Sequence, residues 1–240
     1  MPEDDFAIES LAAYLHLDPA QVVKLVERGK LPGRKVAGQW RFAQAEIHHW
    51  LEERIGLSGD EELLRMEGVF EQAARDAGEG AGEAAISLDE VLPLEAIAVP
   101  LAARTRGSVI TSMVEVAART GWLWDTAKMA EAVRAREDLM PTALDNGVAL
   151  LHPRRPLAGS LAHPFVAFGR TDSGIPFGGP RGGLTDLFFL ILSVDDRGHL
   201  RVLARLSRLL ADSAVVAALR SAPDAAAARL ALAEREDRLV

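Results

Sequence analysis

The sequence contains no cysteine, which excludes disulfides and thiolate metal sites. It also lacks an excess of positive charge. Lys and Arg number 27 against 35 Asp and Glu, a formal net charge of -8. The chain as a whole is therefore no electrostatic match for nucleic acid, and any such contact must come from a local patch. No stretch reaches the ~18 continuous apolar residues of a membrane span. The opening "MPEDDFAIES" has neither the basic start nor the apolar run of a signal peptide. No membrane partner is expected, and a soluble cytoplasmic protein is the default expectation. No internal repeat of fixed period is present. What is there is a chain of 240 residues, 49% of them apolar, long enough for one large domain or two smaller ones with a real core.

Residues 6 to 56 form one compact pattern. "IESLAAYLHL" spaces Leu11, Tyr14 and Leu15 for a helix. In "DPAQVVKLVERG", Asp18 is placed as an N-cap, Pro19 as the first helical residue, and Gly29 as the stop. "LPGRKVAGQWRF" predicts a two-stranded hairpin turning near Ala37 and Gly38. "AQAEIHHWLEERIG" puts Ile47, Trp50, Leu51 and Ile55 on one face of a third helix. Residues 57–86 are acidic, rich in Gly and Ala and without strand signals. They are expected to be a linker, with a helix in its middle and a flexible tether at "GEGAGEAA". Residues 87–240 are expected to form a second domain. Helical patterns cover 108–120 and 125–137, strand-like runs 147–151, 163–170 and 185–194, and helices 199–212 and 224–236. The continuous apolar run "TDLFFLILSV" predicts a strand buried on both faces.

Between Asp18 and Ala43 the chain carries Lys24, Arg28, Lys30, Arg34, Lys35 and Arg41 against only Asp18 and Glu27, a local charge of +4. That is a footprint for phosphates. The pattern "GKLPGRKVAGQWRF…HHWL" resembles the excisionase and MerR-type helix-turn-helix family over about 50 residues. The resemblance implies a winged helix-turn-helix over residues 1–56 that binds duplex DNA. The 18–29 helix would enter the major groove, with Gln21 and Lys24 toward bases and Arg28 on the same helix. Arg34, Lys35 and Arg41 of the wing would hold phosphates. Where the family has Ser and Arg at the start of this helix, the chain has Asp18-Pro19-Ala20-Gln21. That difference predicts weak affinity, or a homodimer to reinforce it. His48 and His49 are adjacent on a helix and diverge, so they make no metal pair.

In "NGVALLHPRRP" an apolar run, Val148 to Leu151, ends on His152. Imidazole is largely neutral and nucleophilic near pH 7, which suits a reversible phosphoryl carrier. The phosphoryl group brings nearly two negative charges and needs cations or donors nearby. Arg136 and Glu137 end the preceding helix, Thr142 lies in the loop between, and His199 opens a later helix whose N-terminal amides favour an anion. Arg154 and Arg155 add charge beside His152 and could bind phosphate or another anion. A metal site of His152, His163 and His199 has no spacing such as H-E-x-x-H behind it. His163, before Pro164, is expected at a strand edge. No cofactor is called for.

"AREDLMPTALDNGVALLHPRR", then "GIPF", then "TDLFFLILSVDDRGHLRVLARLSRLLAD" resemble, in order, the enzyme IIA domain of the mannitol/fructose type in the bacterial phosphotransferase system, including its nitrogen-regulatory branch. The resemblance covers about 150 residues. It implies that His152 accepts phosphate from a phosphocarrier protein, that His199 contacts it, and that Arg136 stabilises it. Thr142 and Asn146 would shape the pocket. The family normally has proline before the histidine, where this chain has Leu151, with Pro153 following. Proline fixes backbone φ and helps aim the side chain.

The expected class is α/β: a small winged helix-turn-helix domain, then an α/β layered enzyme IIA-like domain with a mixed sheet flanked by helices. The expected function is a regulator coupling histidine phosphorylation to DNA binding. Two alternatives stand beside it. One is a phosphocarrier or phospho-dependent binder of a downstream regulatory protein. The other is an inactive enzyme IIA fold sensing an anion at Arg136, Arg154 and Arg155.

Overall fold

A computed structural model describes residues 5–15, 17–57 and 87–236. The expected linker beyond Leu57, its helix, and His16 lie outside the described residues. The chain divides into two compact units, residues 1–85 and 86–240, each described by itself.

The first unit runs β1 (Asp5–Phe6), α1 (Ile8–Leu15), α2 (Pro19–Glu27), β2 (Arg34–Val36), β3 (Gln39–Ala43) and α3 (Gln44–Leu57). α2 starts where its sequence dictates. The Asp18 carboxylate accepts the Ala20 N–H, Gln21 closes a capping box, and Pro19 needs no N–H partner at the first position. β2 and β3 pair antiparallel, Arg34 opposite Arg41 and Val36 opposite Gln39. Their turn takes Ala37 to φ 49° and Gly38 to φ 80°, the double left-handed geometry of a tight hairpin. β1 adds to the other edge of β3. Leu11, Val22, Leu31, Phe42, Ile47 and Ile55 form the buried centre. Gly33 is required there: a Cβ would sit 2.7 Å from the Phe42 ring. The Trp50 indole donates to the Lys30 carbonyl at 2.7 Å, and the Tyr14 hydroxyl lies 2.7 Å from His48 Nε2.

The second unit runs α4 (Leu88–Val91), a 3-10 turn (Leu94–Ala96), β4 (Ile97–Ala98), α5 (Arg106–Ala118), α6 (Thr126–Leu139), β5 (Val148–Leu151), β6 (Phe165–Pro176), β7 (Leu184–Leu192), α7 (Asp196–Ala211), α8 (Ser213–Ser221) and α9 (Ala225–Glu236). The sheet order is β4-β6-β7-β5. β4 is parallel to β6, β6 antiparallel to β7, and β5 parallel to β7. Ala149, Leu151, Ala167, Phe188 and Leu190 present one face to α5 and α6. The alternate residues Leu150, Phe168, Leu187, Phe189 and Ile191 are equally buried on the other face, where α7 and α8 pack on β7. The apolar run of β7 is thus covered on both sides, as its sequence predicts.

Several elements differ from expectation, among them the short α4 and β4, which were not expected, and α7, which begins at Asp196 and not at His199. α5 begins two residues early because Thr105 and Ser108 form a capping box. β6 continues past 170 to Pro176 through a register shift between Arg170 and Ile175. α8 was not expected: Asp212 caps it, and Val215, Val216 and Leu219 bury its inner face. The unit closes on one carboxylate. Glu236 accepts the Leu88 N–H at 2.8 and 3.1 Å and the Ser87 hydroxyl at 3.2 Å, and pairs with Arg205 Nε at 3.1 Å.

Candidate active site and nucleic-acid interface

β5 and β7 run parallel and adjacent, Leu151 opposite Leu190, so their C-terminal ends open on the same edge. Open α/β sheets place ligands there. His152 follows β5 directly. Three residues after β7 comes α7, with His199 one turn in rather than at its opening position. The two rings meet with centroids 4.9 Å apart and 51° between planes. Both residues are buried, at 2% and 6% exposure.

His152 Nδ1 lies 2.8 Å from the Leu150 carbonyl oxygen. A carbonyl only accepts, so Nδ1 carries the proton and Nε2 keeps the lone pair. This bond aims the ring without a preceding proline. Leu151 instead fills the core, fully buried.

Arg136 lies in the last turn of α6, buried, with Nη1 donating to the Met140 carbonyl at 2.8 Å. Residues 142–144 run antiparallel beside β5. Leu144 N–H donates to Val148 O at 2.7 Å, Ala143 faces Ala149, and Leu150 N–H donates to Thr142 O at 3.4 Å.

Other expected pocket residues are placed differently. Thr142 gives its N–H to both Glu137 carboxylate oxygens at 3.3 Å, and its hydroxyl donates to the same carboxylate. Asn146 lies at the opposite end of β5, roughly 13 Å of extended chain from the histidine end. Its amide donates to Leu210 O at 2.8 Å, and it lines a separate open cleft of about 500 Å³ with Val216 and Arg220. Asn146 is close to His152 in sequence only because a four-residue strand separates the two ends of the sheet. The amides at the start of α7 are also engaged: Gly198 N–H donates to the Asp195 carboxylate at 2.8 Å and His199 N–H to Asp195 O at 3.1 Å. Arg154 and Arg155 are exposed just past His152. His163 is exposed before β6, its ring 4.0 Å from that of Trp122. Within this unit, among the described residues, no third imidazole or carboxylate joins His152 and His199 at metal-ligand spacing.

Sequence reasoning named Glu137 only as ending the helix with Arg136, without a contact, and passed over Arg106. Glu137 is 1% exposed, and burial pushes its carboxyl above the ordinary range. Hydrogen bonds from Thr142 and the charges of Arg106 and Arg136 pull the other way. Arg106 Nη2 donates to the Glu137 carbonyl and lies 3.6 Å from its carboxylate. The Arg106 guanidinium also lies 5.8 Å from the Phe177 ring centroid. The signal in the sequence was a Glu beside Arg136 with a Thr five residues on.

In the first unit Lys24 is exposed on α2, and Arg28 is exposed at its C-cap. Gln21, expected to face bases, has its Oε1 engaged in the cap, where it accepts the Asp18 N–H at 2.9 Å. In the wing, Arg34 pairs with Asp5 at 2.8 Å, Arg41 donates to Gln39 Oε1 at 2.9 Å, and Lys35 Nζ lies 5.0 Å over the Trp40 ring.

Comparison with known proteins agrees with this architecture. The family model for the phosphoenolpyruvate-dependent sugar phosphotransferase system, EIIA 2, matches residues 90–234. The chain belongs to this family. A helix-turn-helix domain model matches residues 8–55, ahead of the EIIA domain. The chain is 37% identical over 120 residues to a nitrogen regulatory protein of Bradyrhizobium diazoefficiens, covering 48% of this chain and 76% of that one. It is 30% identical over 127 residues to the fructose-specific EIIABC component of Bacillus subtilis, covering 52% of this chain but only 20% of that larger protein. The crystal structure of the nitrogen regulatory protein IIA-Ntr from Neisseria meningitidis matches with a TM-score of 0.55 at 28% identity, covering 60% of this chain and 98% of that one. An EIIA domain joined to a helix-turn-helix domain supports a regulatory role. No described helix is long and apolar enough to cross a membrane.

Proposed function

We propose that the protein is a cytoplasmic regulator in which His152 accepts a phosphoryl group from a phosphocarrier protein and the phosphorylation state controls duplex DNA binding by the helix-turn-helix domain. The observation that carries the reading is the His152 ring. Its Nδ1 is bonded to the Leu150 carbonyl, which leaves Nε2 as the nucleophile, and His199 lies beside it. The Nε2 lone pair attacks phosphorus, the donor's N–P bond breaks, and Nδ1 keeps its proton. Transfer of this kind depends mostly on positioning and charge stabilisation. Arg136 would supply the charge, and His199 would contact the group. Arg154 and Arg155, exposed at the rim, would meet the donor or its phosphate. The output would pass to DNA, directly or as a homodimer, through Lys24, Arg28, Arg34, Lys35 and Arg41.

The test is incubation of the full chain with a phosphorylated phosphocarrier, followed by assay for acid-labile phosphate and titration of DNA with the same sample. Phosphate on His152 with an altered DNA affinity supports the reading. Phosphate without any change at DNA would favour a phospho-dependent protein binder. Failure to accept phosphate would favour an anion sensor.

A further inference from the structure

Thr142 and Leu150 face each other as a hydrogen-bonded antiparallel pair, which normally exchanges two N–H···O bonds. Here only one forms, Leu150 N–H to Thr142 O. Side chains claim both halves of the missing bond. The Thr142 N–H goes to the Glu137 carboxylate, and the Leu150 carbonyl takes the His152 Nδ1–H. We propose that Glu137 is a positioning residue for His152, acting through Thr142. By holding both donors of Thr142 it reserves the Leu150 carbonyl for the imidazole and so fixes the tautomer that leaves Nε2 nucleophilic.

The placement of Glu137 is built for this. It is buried beside Arg136 at the end of α6, and Arg106 binds both its backbone carbonyl and its carboxylate. Without an acceptor at 137, the Thr142 N–H would return to the Leu150 carbonyl and compete with the ring for it. Thr142 is half-buried, and the Leu150 carbonyl is the partner that the antiparallel pairing itself offers its N–H. The Nε2–H tautomer, whose lone-pair nitrogen is the one beside the Leu150 carbonyl, would then gain population.

The inference rests on phosphorylation of His152 for its consequence, but its structural half is measured separately. In the full-length protein labelled with ¹⁵N-histidine, ring correlations report the His152 tautomer directly. Wild type should show Nδ1–H. Glu137→Ala should show a mixture with Nε2–H, and its kcat for phosphoryl transfer should fall roughly 10- to 100-fold with KM for the phosphocarrier unchanged. Glu137→Gln, whose amide oxygen still accepts from Thr142, should recover most of both. Should Glu137→Ala not fold, Glu137→Met takes its place, filling similar volume without an acceptor. A folded Glu137→Ala or Glu137→Met protein with a wild-type His152 tautomer overturns the proposal, as does a Glu137→Gln variant no better than Ala. A wild type that never accepts phosphate removes the functional reading and leaves the ring measurement to judge this one.

Discussion

The imidazoles of His152 and His199 come from different strand ends, yet their rings lie 4.9 Å apart at a 51° tilt, both buried. A parallel pair of strands achieves this because β5 and β7 deliver their C-termini side by side. The two histidines are chemically unequal. His152 has its Nδ1 fixed by a main-chain carbonyl two residues back, whereas His199 projects from a helix.

That inequality predicts different variants. His152→Ala should abolish phosphorylation. His199→Ala should leave an acceptor but slow transfer roughly a hundredfold, the usual cost of one transition-state donor. Mass spectrometry of the labelled peptides checks it. Label on His199 or His163 in the wild type would reverse the assignment.

The Arg34–Asp5 pair makes a second prediction. Asp5 competes with a DNA phosphate for the same guanidinium. Asp5→Asn should tighten duplex binding by the full chain at low salt, and Arg34→Ala and Arg41→Ala should weaken it for all sequences. Affinity should fall with added salt through counterion release. Titrations at several salt concentrations decide it; an Asp5→Asn protein that binds more weakly would refute the competition.

Glu137 predicts a pH dependence. Its folded-state pKa is raised above the ordinary value of 4.5, chiefly by burial. The folded state therefore holds this proton more tightly than the unfolded chain does. The stability it contributes is complete below the unfolded value and is lost as pH rises through the folded one. The Tm of wild type minus that of Glu137→Gln should thus be most favourable to wild type in acid and should decline on going to neutral pH. Paired melting curves across that range measure it, and a difference that grows with pH would contradict the burial argument.

Gly33 predicts a loss of stability in the first unit. An added Cβ would approach the Phe42 ring at 2.7 Å and the Val26 side chain at 2.9 Å, and both neighbours are in the core. Gly33→Ala should cost about 1–3 kcal/mol. Denaturant titration of the full chain, following a tryptophan signal, would reveal it; an unchanged midpoint would mean the wing repacks freely.

Much of the architecture was legible because it rests on local signals. The Asp18 cap, the Ala37-Gly38 turn and the apolar run of β7 each declare themselves within a few residues. α8 did not, because Val215, Val216 and Leu219 make too short a pattern among small residues to separate a helix from a loop. At the candidate site, His152 and His199 were named by residue type and order, and the structure brings their rings together; Arg136 was named in the same way. Thr142 was also picked out, but for a different contact. Its partner, and the role argued for Glu137, depend on which residue of 142–144 stands opposite which residue of β5. Pairing register across a loop is not written in either segment alone. Asn146 shows the converse: nearness in sequence to a reactive residue carries little weight when an extended strand lies between.

Glu236 has a consequence for how such a domain can be connected to others. One carboxylate ties Ser87 and Leu88 to the last turn of α9, so the first and last described residues of the EIIA unit lie side by side. A body whose two ends meet can be hung from a single point of a host chain without prying that host apart. Its ends could also be spliced and new ones opened at an exposed tip such as Arg154-Arg155. The order in which the four strands are made would then change, while their order in the sheet would not.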